Sequence, residues 1–387
     1  MKRRGPGRAR ATRVRLALIV VGLVAGPVVA EEDSWTWDLP RGFPTPSVPE
    51  DNPMSRPKVD LGRDLFFDPR LSVTGAYACS SCHDPEKAFT DGRARALGAT
   101  GEQHSRSTMS LVNVAYNASF GWANPETREL EDQSKIPLLG THPIELGLGG
   151  RAHEATEALQ ADPVRAKALE RAFPEAGGRF TLLHVRRALA AYQRTLISAS
   201  SPYDRYVFYD DRDAMSAAAL RGMGIFFSES AGCDDCHPAP LFTSPARYAE
   251  RRPAPSFHNT GLYNFDGVGA YPEEETGLFE HSGLPGDMGR FRVPTLRNVA
   301  LTAPYMHDGS IATLGEVVLH YASGGRNHNA AGARGPRSPL QSPTLESFAL
   351  SPEEADDLVA FLESLSDVHS GNGRPRSGVP ASPLPGR

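Results

Sequence analysis

The chain has 387 residues, 41 basic against 46 acidic, and 40% apolar side chains. It is long enough for two domains of ordinary size and too apolar for wholesale disorder. Its 37 Gly and 33 Pro, about 18% of the chain, predict much loop and few long strands.

The first 30 residues differ in kind from the rest. Lys2, Arg3, Arg4, Arg8, Arg10, Arg13 and Arg15 form a basic stretch with no acid. An apolar run from Leu16 to Val29 follows, and Val28-Val29-Ala30 offers a small-residue cleavage site before Glu31. Residues 1–30 therefore read as a secretory signal peptide, with an apolar run too short for a comfortable membrane span; an uncleaved anchor is the alternative. No later stretch is expected to cross a bilayer. The mature part carries 34 basic against 46 acidic residues, a formal charge of −12. That acidity argues against nucleic acid as a partner and for a basic protein or a small neutral substrate.

Residues 31–54 are rich in Pro and Trp and predict an extended arm. Gly62-Arg63-Asp64-Leu65-Phe66-Phe67 comes next, and Gly222-Met223-Gly224-Ile225-Phe226-Phe227 repeats its pattern. Each copy predicts a short helix with an aromatic end. Each also leads into a cysteine motif. All four cysteines of the chain lie in Cys79-Ser80-Ser81-Cys82-His83 and Cys233-Asp234-Asp235-Cys236-His237. An exported chain with an even cysteine count would ordinarily suggest disulfides. Here the C-x-x-C-H spacing is the attachment signature of c-type haem, in which two thiols add across the vinyl groups and the His ligates the iron. A redox dithiol would not need His at the fifth position twice. Two covalent haems are the expected cofactors.

Between the motifs, Leu182, Val185, Leu189, Tyr192 and Leu196 keep a helical stripe, with Arg186, Arg187 and Arg194 on the other side. That helix should close a first domain near Ser200. A last helix should start at Ser351, an N-cap, with Pro352 in the first turn and Glu354 completing a capping box. Leu358, Phe361, Leu362 and Leu365 make its buried face. The loop from Gly324 to Pro343 and the tail over 369–387 are expected to be disordered. The predicted fold is mainly α: two cytochrome c-like haem domains in tandem with long loops, the first over 55–200 and the second over 201–368.

What binds the far side of each iron separates a carrier from an enzyme. A six-coordinate haem moves electrons, while an open position permits chemistry on peroxide or oxygen. Met288, Met306, His307, His320 and Tyr321 are candidates in the second half, and His104, His142 and His153 in the first. Spacing alone does not choose among them.

The two C-x-x-C-H motifs, the run LGRDLFFDPRLS and the late run FRVPTLRNVALTAPYMHDGS together resemble the bacterial diheme cytochrome c peroxidase family, which includes MauG. The likeness spans roughly residues 55–368. The runs AFTDGRARALGATG, HPIELGLGG and MHDGSIATL are closer to its MauG-like, MbnH-type branch. The resemblance implies a Trp between the haems, here Trp122, a distal Gln at Gln133 and a distal catalytic Glu at Glu145. It implies that the second haem's distal ligand is Tyr321, where peroxidases of the family have Met and MauG has Tyr. The distal His that closes the first haem in resting peroxidases falls on Ala99, which predicts an open first haem, with His104 close by in sequence. The family's calcium ion would be held by the carbonyls of Thr302 and Pro304, but its Asn position is Ser107.

The function that the resemblance implies is a periplasmic diheme oxidase. Hydrogen peroxide would bind at the first haem, above His83. Glu145 would shuttle the proton, Gln133 would orient the peroxide, and Trp122 would share oxidising equivalents with the second haem, held by His237 and Tyr321. A phenolate ligand favours withdrawing electrons from a partner protein, with Trp side chains the expected target. The alternatives are peroxide reduction with electrons from a small cytochrome c, and a diheme electron carrier without catalysis.

Overall fold

A computed structural model describes Met1 and residues 34–367. The expected signal peptide and the 369–387 tail lie outside the described residues. The fold is mainly helical. In chain order the helices are α1 (Arg56–Phe66), α2 (Cys79–Cys82), α3 (Leu130–Gln133), α4 (Lys135–Leu139), α5 (Ala152–Ala161), α6 (Pro163–Ala172) and α7 (Leu182–Gln193). They continue with α8 (Pro202–Phe208), α9 (Ala217–Phe226), α10 (Cys233–Cys236), α11 (Phe279–Ser282), α12 (Leu314–Ala322) and α13 (Pro352–Glu363). Extended pairing is slight: β1 (Phe257–His258) lies antiparallel to β2 (Phe291–Arg292). No helix among the described residues is long and apolar enough to cross a membrane.

Two apolar clusters carry the fold. One draws on Leu61, Leu65, Phe66, Leu71, Val185, Leu189 and Tyr192, the other on Tyr203, Phe226, Phe242, Val318, Leu358 and Phe361. Each is built on one helix crossing. Helix α1 packs on α7, and α9 packs on α13. The repeated glycine sets both crossings. A Cβ on Gly62 would lie 1.9 Å from the Ala188 carbonyl oxygen, and one on Gly222 would lie 1.9 Å from the Asp357 carbonyl oxygen. No side chain fits there, so glycine lets the backbones touch. The aromatic pair that ends each copy is split: Phe66 and Phe226 are buried, whereas Phe67 and Phe227 are partly exposed.

A second repeat reinforces the first. Asn113-Val114-Ala115 and Asn298-Val299-Ala300 each place the Asn in a left-handed conformation before a 3-10 turn. Asn113 donates to the Ser198 carbonyl and accepts from its amide, just beyond α7. Asn298 accepts from the Asp367 amide, just beyond α13. Both Asn side chains thus pin the chain that leaves the closing helix, which is the partner that an isolated loop backbone lacks.

The helical stripe expected from Leu182 is present, with Val185, Leu189 and Tyr192 buried. The helix stops at Gln193, and Leu196 is buried beyond its end. Arg186 and Arg187, largely covered, pair with the exposed carboxylates of Asp132 and Asp51. Arg194 corrects the expectation: it turns inward and meets buried Glu131 at 2.7 Å. Helix α13 has the expected Ser351 cap and Glu354 box. The segment 324–343 is not the disordered loop expected. It lacks regular structure, but its polar side chains bond inward. Asn327 donates to Gln341 Oε1, the Ser338 amide donates to Asn327 Oδ1, and Gln341 bridges to the Gly324 and Leu345 carbonyls. A polar composition suggests disorder, but these groups satisfy one another in a buried site.

The arm is extended, as its composition predicts, and it ties the two halves together. Phe43 is buried with Tyr116, Ala199, Leu241 and Ala246. Buried Arg297 stacks over Phe43, Tyr203 and Phe242 and pairs with Asp204 at 2.5 Å. Backbone bonds cross the same boundary: Arg247 to Tyr116, Arg292 to Trp122 and Ser107 to His307, each donating its amide at 2.8 Å.

Candidate active site

The two C-x-x-C-H motifs adopt one local design. Each Cys pair begins and ends a single helical turn, which places the two thiols on neighbouring positions. The His follows as the C-cap. His83 Nδ1 lies 2.9 Å from the Phe89 carbonyl, and His237 Nδ1 lies 3.0 Å from the Phe242 carbonyl. A carbonyl only accepts, so Nδ1 carries the proton in both and Nε2 keeps its lone pair. Phe89 and Phe242 share a further feature: both have positive φ, 61° and 49°, which turns the chain back toward the imidazole. Burial holds both imidazoles in the neutral, ligating form, and pushes His237 down to about 4. The thiols are free of disulfides. Burial pushes Cys79, Cys82 and Cys233 up to about 12, which leaves them protonated and unlike a redox dithiol.

A cleft of about 320 Å³ opens over the first motif, and Cys79, Cys82, His83, Trp122, Gln133 and Glu145 all line it. Trp122, Gln133 and Glu145, from one stretch of chain downstream of the motif, are therefore brought over it. Gln133 ends α3, and its buried Oε1 has no hydrogen-bond partner among the described residues. Burial pushes Glu145 up to about 7. The segment bearing Glu145 is held against 98–99: Gly98 approaches so closely that a Cβ would lie 1.6 Å from the Ile144 carbonyl oxygen. Trp122 donates its indole N–H to the Ser107 carbonyl at 2.9 Å and meets His307 edge to face at 6.5 Å.

Of the first-half ligand candidates His104, His142 and His153, His104 alone lines the cleft. His142 and His153 are 90% and 81% exposed and pair with Glu102 and Glu157. In the second half, His320 has both ring nitrogens engaged, Nε2 with the Thr260 carbonyl and Nδ1 with the Arg326 amide. His307 lies flat on Phe291, toward the other half of the chain. Met288 and Met306 pack in the cluster of Leu262, Tyr271 and Ile311. Tyr321 differs from all of these. Its hydroxyl makes no hydrogen bond among the described residues, and burial, then Cys236 and Cys233, raise its pKa. Those two thiols mark it as a neighbour of the second motif.

Thr302 and Pro304 follow the Asn298 turn. Their carbonyls accept no backbone hydrogen bond among the described residues. Ser107 is already committed: its hydroxyl donates to the Met306 carbonyl and its own carbonyl accepts from Trp122. No group of three or more His, Cys, Asp or Glu suited to a metal exists among the described residues.

Two features escaped sequence reasoning. Arg292 is buried in the cleft wall, its partners among the described residues being the Gly121 and Val293 carbonyls and the Met109 sulfur, and burial pushes its guanidinium down to about 10. It awaits an anion. Arg106 clamps Glu275 and Glu280 across the boundary between the halves. Both lie in or beside quoted motifs, but only the fold reveals that one lacks a carboxylate and the other has two.

The family model described as di-haem cytochrome c peroxidase matches residues 56–212. The chain is 35% identical to the cytochrome-c peroxidase IdrP1 of Denitromonas iodatirespirans, covering 91% of this chain and 93% of that one. It is 35% identical to the methylamine utilization protein MauG of Methylorubrum extorquens, covering 82% and 80%. A solved MauG-like protein associated with microbial copper homeostasis superposes with a TM-score of 0.84 at 42% identity, over 87% of this chain and 97% of that one. These relationships establish that the chain belongs to the di-haem cytochrome c peroxidase/MauG family and has its mainly helical fold.

Proposed function

We propose that the chain is a periplasmic diheme oxidoreductase that reacts with hydrogen peroxide in the first cleft and withdraws electrons from a partner protein, with Trp side chains its target. The observation that carries this reading is the convergence of Glu145, Gln133 and Trp122 on the cleft of the first C-x-x-C-H motif. The residues fit haem on their own chemistry. Each motif offers two protonated thiols and an imidazole whose Nδ1 is held by a carbonyl, and the first cleft adds Gln133 Oε1, without a hydrogen-bond partner among the described residues, and the Arg292 guanidinium, which meets no carboxylate among them. Thioether attachment at Cys79, Cys82, Cys233 and Cys236 follows, with one haem domain over 55–200 and another over 201–368. Haem held there would supply an iron that reacts with peroxide and stores oxidising equivalents.

The chain's own residues do the rest. Glu145, with a carboxyl poised near neutrality, takes a proton from bound peroxide and returns it to the departing oxygen. Gln133 donates its amide N–H to orient the peroxide. Arg292 neutralises the haem carboxylates. Trp122 links the two halves electronically. Tyr321, whose hydroxyl makes no hydrogen bond among the described residues, would hold the second haem iron together with His237. An anionic oxygen ligand lowers the potential of that haem relative to a thioether. Calcium would rest on the carbonyls of Thr302 and Pro304 with water completing its shell.

Low-temperature EPR of the ferric holoprotein tests this reading. A high-spin signal beside a low-spin one is expected. Two low-spin haems would reduce the protein to an electron carrier. The likeness to a named cytochrome-c peroxidase favours a second reading, peroxide reduction fed by a small cytochrome c. Sustained turnover with the reduced cytochrome would support it.

A further inference from the structure

Five rings form a continuous series leading out of the first cleft. Trp122 meets His307 at 6.5 Å, and His307 stacks on Phe291 at 3.8 Å, nearly parallel at 14°. Phe291 tilts against Tyr271 at 6.4 Å, and Tyr271 meets Tyr263 edge to face at 5.5 Å. Each step is the separation of a packed ring pair. Buried His307 and Tyr271 lie in the middle, and half-buried Tyr263 lies at the end, against Phe265.

Tyr263 differs from Tyr271 in what its hydroxyl meets. Tyr271 donates to the amide oxygen of Asn259, which cannot keep a proton. Tyr263 donates to Asp308 Oδ2 at 2.5 Å. Asp308 directly follows His307, so the proton acceptor is bonded to the ring series. Its other oxygen accepts from the Ser310 amide. Burial opposes ionisation of Asp308, but His307 and these hydrogen bonds outweigh it and hold the carboxyl below its usual range. A phenol is hard to oxidise when its proton has nowhere to go, and here a carboxylate stands within hydrogen-bond reach.

We propose that Tyr263 is the outlet through which an oxidising equivalent leaves the region between the haems for the protein surface. This rests on the peroxide reading above. Tyr263 gives up one electron through Tyr271, Phe291, His307 and Trp122 to the peroxide-oxidised haem pair, which is reduced by one equivalent. Its O–H bond breaks, the proton forms a new O–H bond on Asp308, and a neutral phenoxyl radical remains. A reductant at the surface restores it by supplying one electron, and Asp308 returns the proton.

The test is freeze-quench EPR of the holoprotein after one equivalent of hydrogen peroxide, with ordinary and ring-deuterated tyrosine, while haem absorbance is followed in parallel. A radical narrowed by tyrosine deuteration is expected in the parent. Tyr263→Phe removes it, and Asp308→Asn suppresses it and slows decay of the oxidised haem spectrum by about tenfold. Tyr271→Phe keeps the ring and retains the signal. A peroxide-oxidised haem spectrum with no tyrosyl radical, or with the same radical in Tyr263→Phe, overturns the outlet and leaves the peroxide reading intact. Haems that do not respond to peroxide overturn both.

Discussion

The amide of Ala99 donates to the carbonyl of Glu145 at 2.7 Å. The residue that the family resemblance sets opposite the distal His of resting peroxidases is thus the backbone anchor of the candidate proton shuttle. That anchor and the close approach of Gly98 hold Glu145 at the cleft, and burial moves its carboxyl to about 7. The group acts as a base, so it must be ionised, and reaction with peroxide should quicken as pH rises through about 7. Glu145→Gln should lower the second-order rate by about 10²- to 10⁴-fold and abolish that pH limb, with haem absorbance unchanged. Stopped-flow measurement across pH 5.5 to 8.5 (about three units) resolves both effects.

Tyr321 sits on α12, capped by the reciprocal bonds of Thr313 and Glu316. Its neighbour His320 is locked to Thr260 and Arg326, which fixes the helix rotation that turns Tyr321 toward Cys233 and Cys236. Tyr321→Met should raise the potential of the second haem by on the order of 100 mV, since axial ligands move haem potentials over about 0.8 V. Spectroelectrochemical titration reads this directly. An unchanged potential would remove Tyr321 from the ligand set.

Arg292 offers a different electrostatic test. Its guanidinium is buried and meets no carboxylate, so its charge acts at short range in a low-dielectric wall. Arg292→Met removes one positive charge and should favour the oxidised iron. The first haem's potential should therefore fall, on the order of tens of millivolts. A rise, measured in the same titration, would contradict the proposed pairing with haem carboxylates.

Local rules were legible in the sequence. Ser351-Pro352 with Glu354 specifies a helix start through bonds that span three residues, and α13 begins there. The C-x-x-C-H spacing likewise encodes a single turn. Less legible was anything set by contact between distant segments. The pairing of His83 with Phe89 and His237 with Phe242 depends on a positive φ that no residue type announces, since Phe rarely adopts it. Arg194 lies at the end of an apparently polar stripe, and only the arrival of α3 makes it a buried partner of Glu131. The loop over 324–343 has a disordered composition and an ordered structure for the same reason. Its Asn, Ser and Gln find partners only once the chain closes on itself.

The glycine crossings give a stability test with an internal control. Gly222 and Gly224 lie in the same helix, two residues apart. A Cβ at Gly222 would collide with the α13 backbone, 1.9 Å from the Asp357 oxygen, whereas one at Gly224 would meet nothing within 4 Å. Backbone atoms cannot swing aside as a side chain can, so Gly222→Ala must push α9 off α13. The expected cost is at least about 1–3 kcal/mol, as for other overpacked cores. Gly224→Ala relieves the entropy of an exposed helical glycine and should stabilise by up to about 1 kcal/mol. Thermal unfolding of the two holoproteins should therefore shift in opposite directions, Gly222→Ala downward by several degrees and Gly224→Ala upward by a few. Gly62→Ala, meeting the Ala188 carbonyl at the same 1.9 Å, should behave like Gly222→Ala. Equal shifts at Gly222 and Gly224 would mean that helix propensity, and not the crossing, governs this repeat.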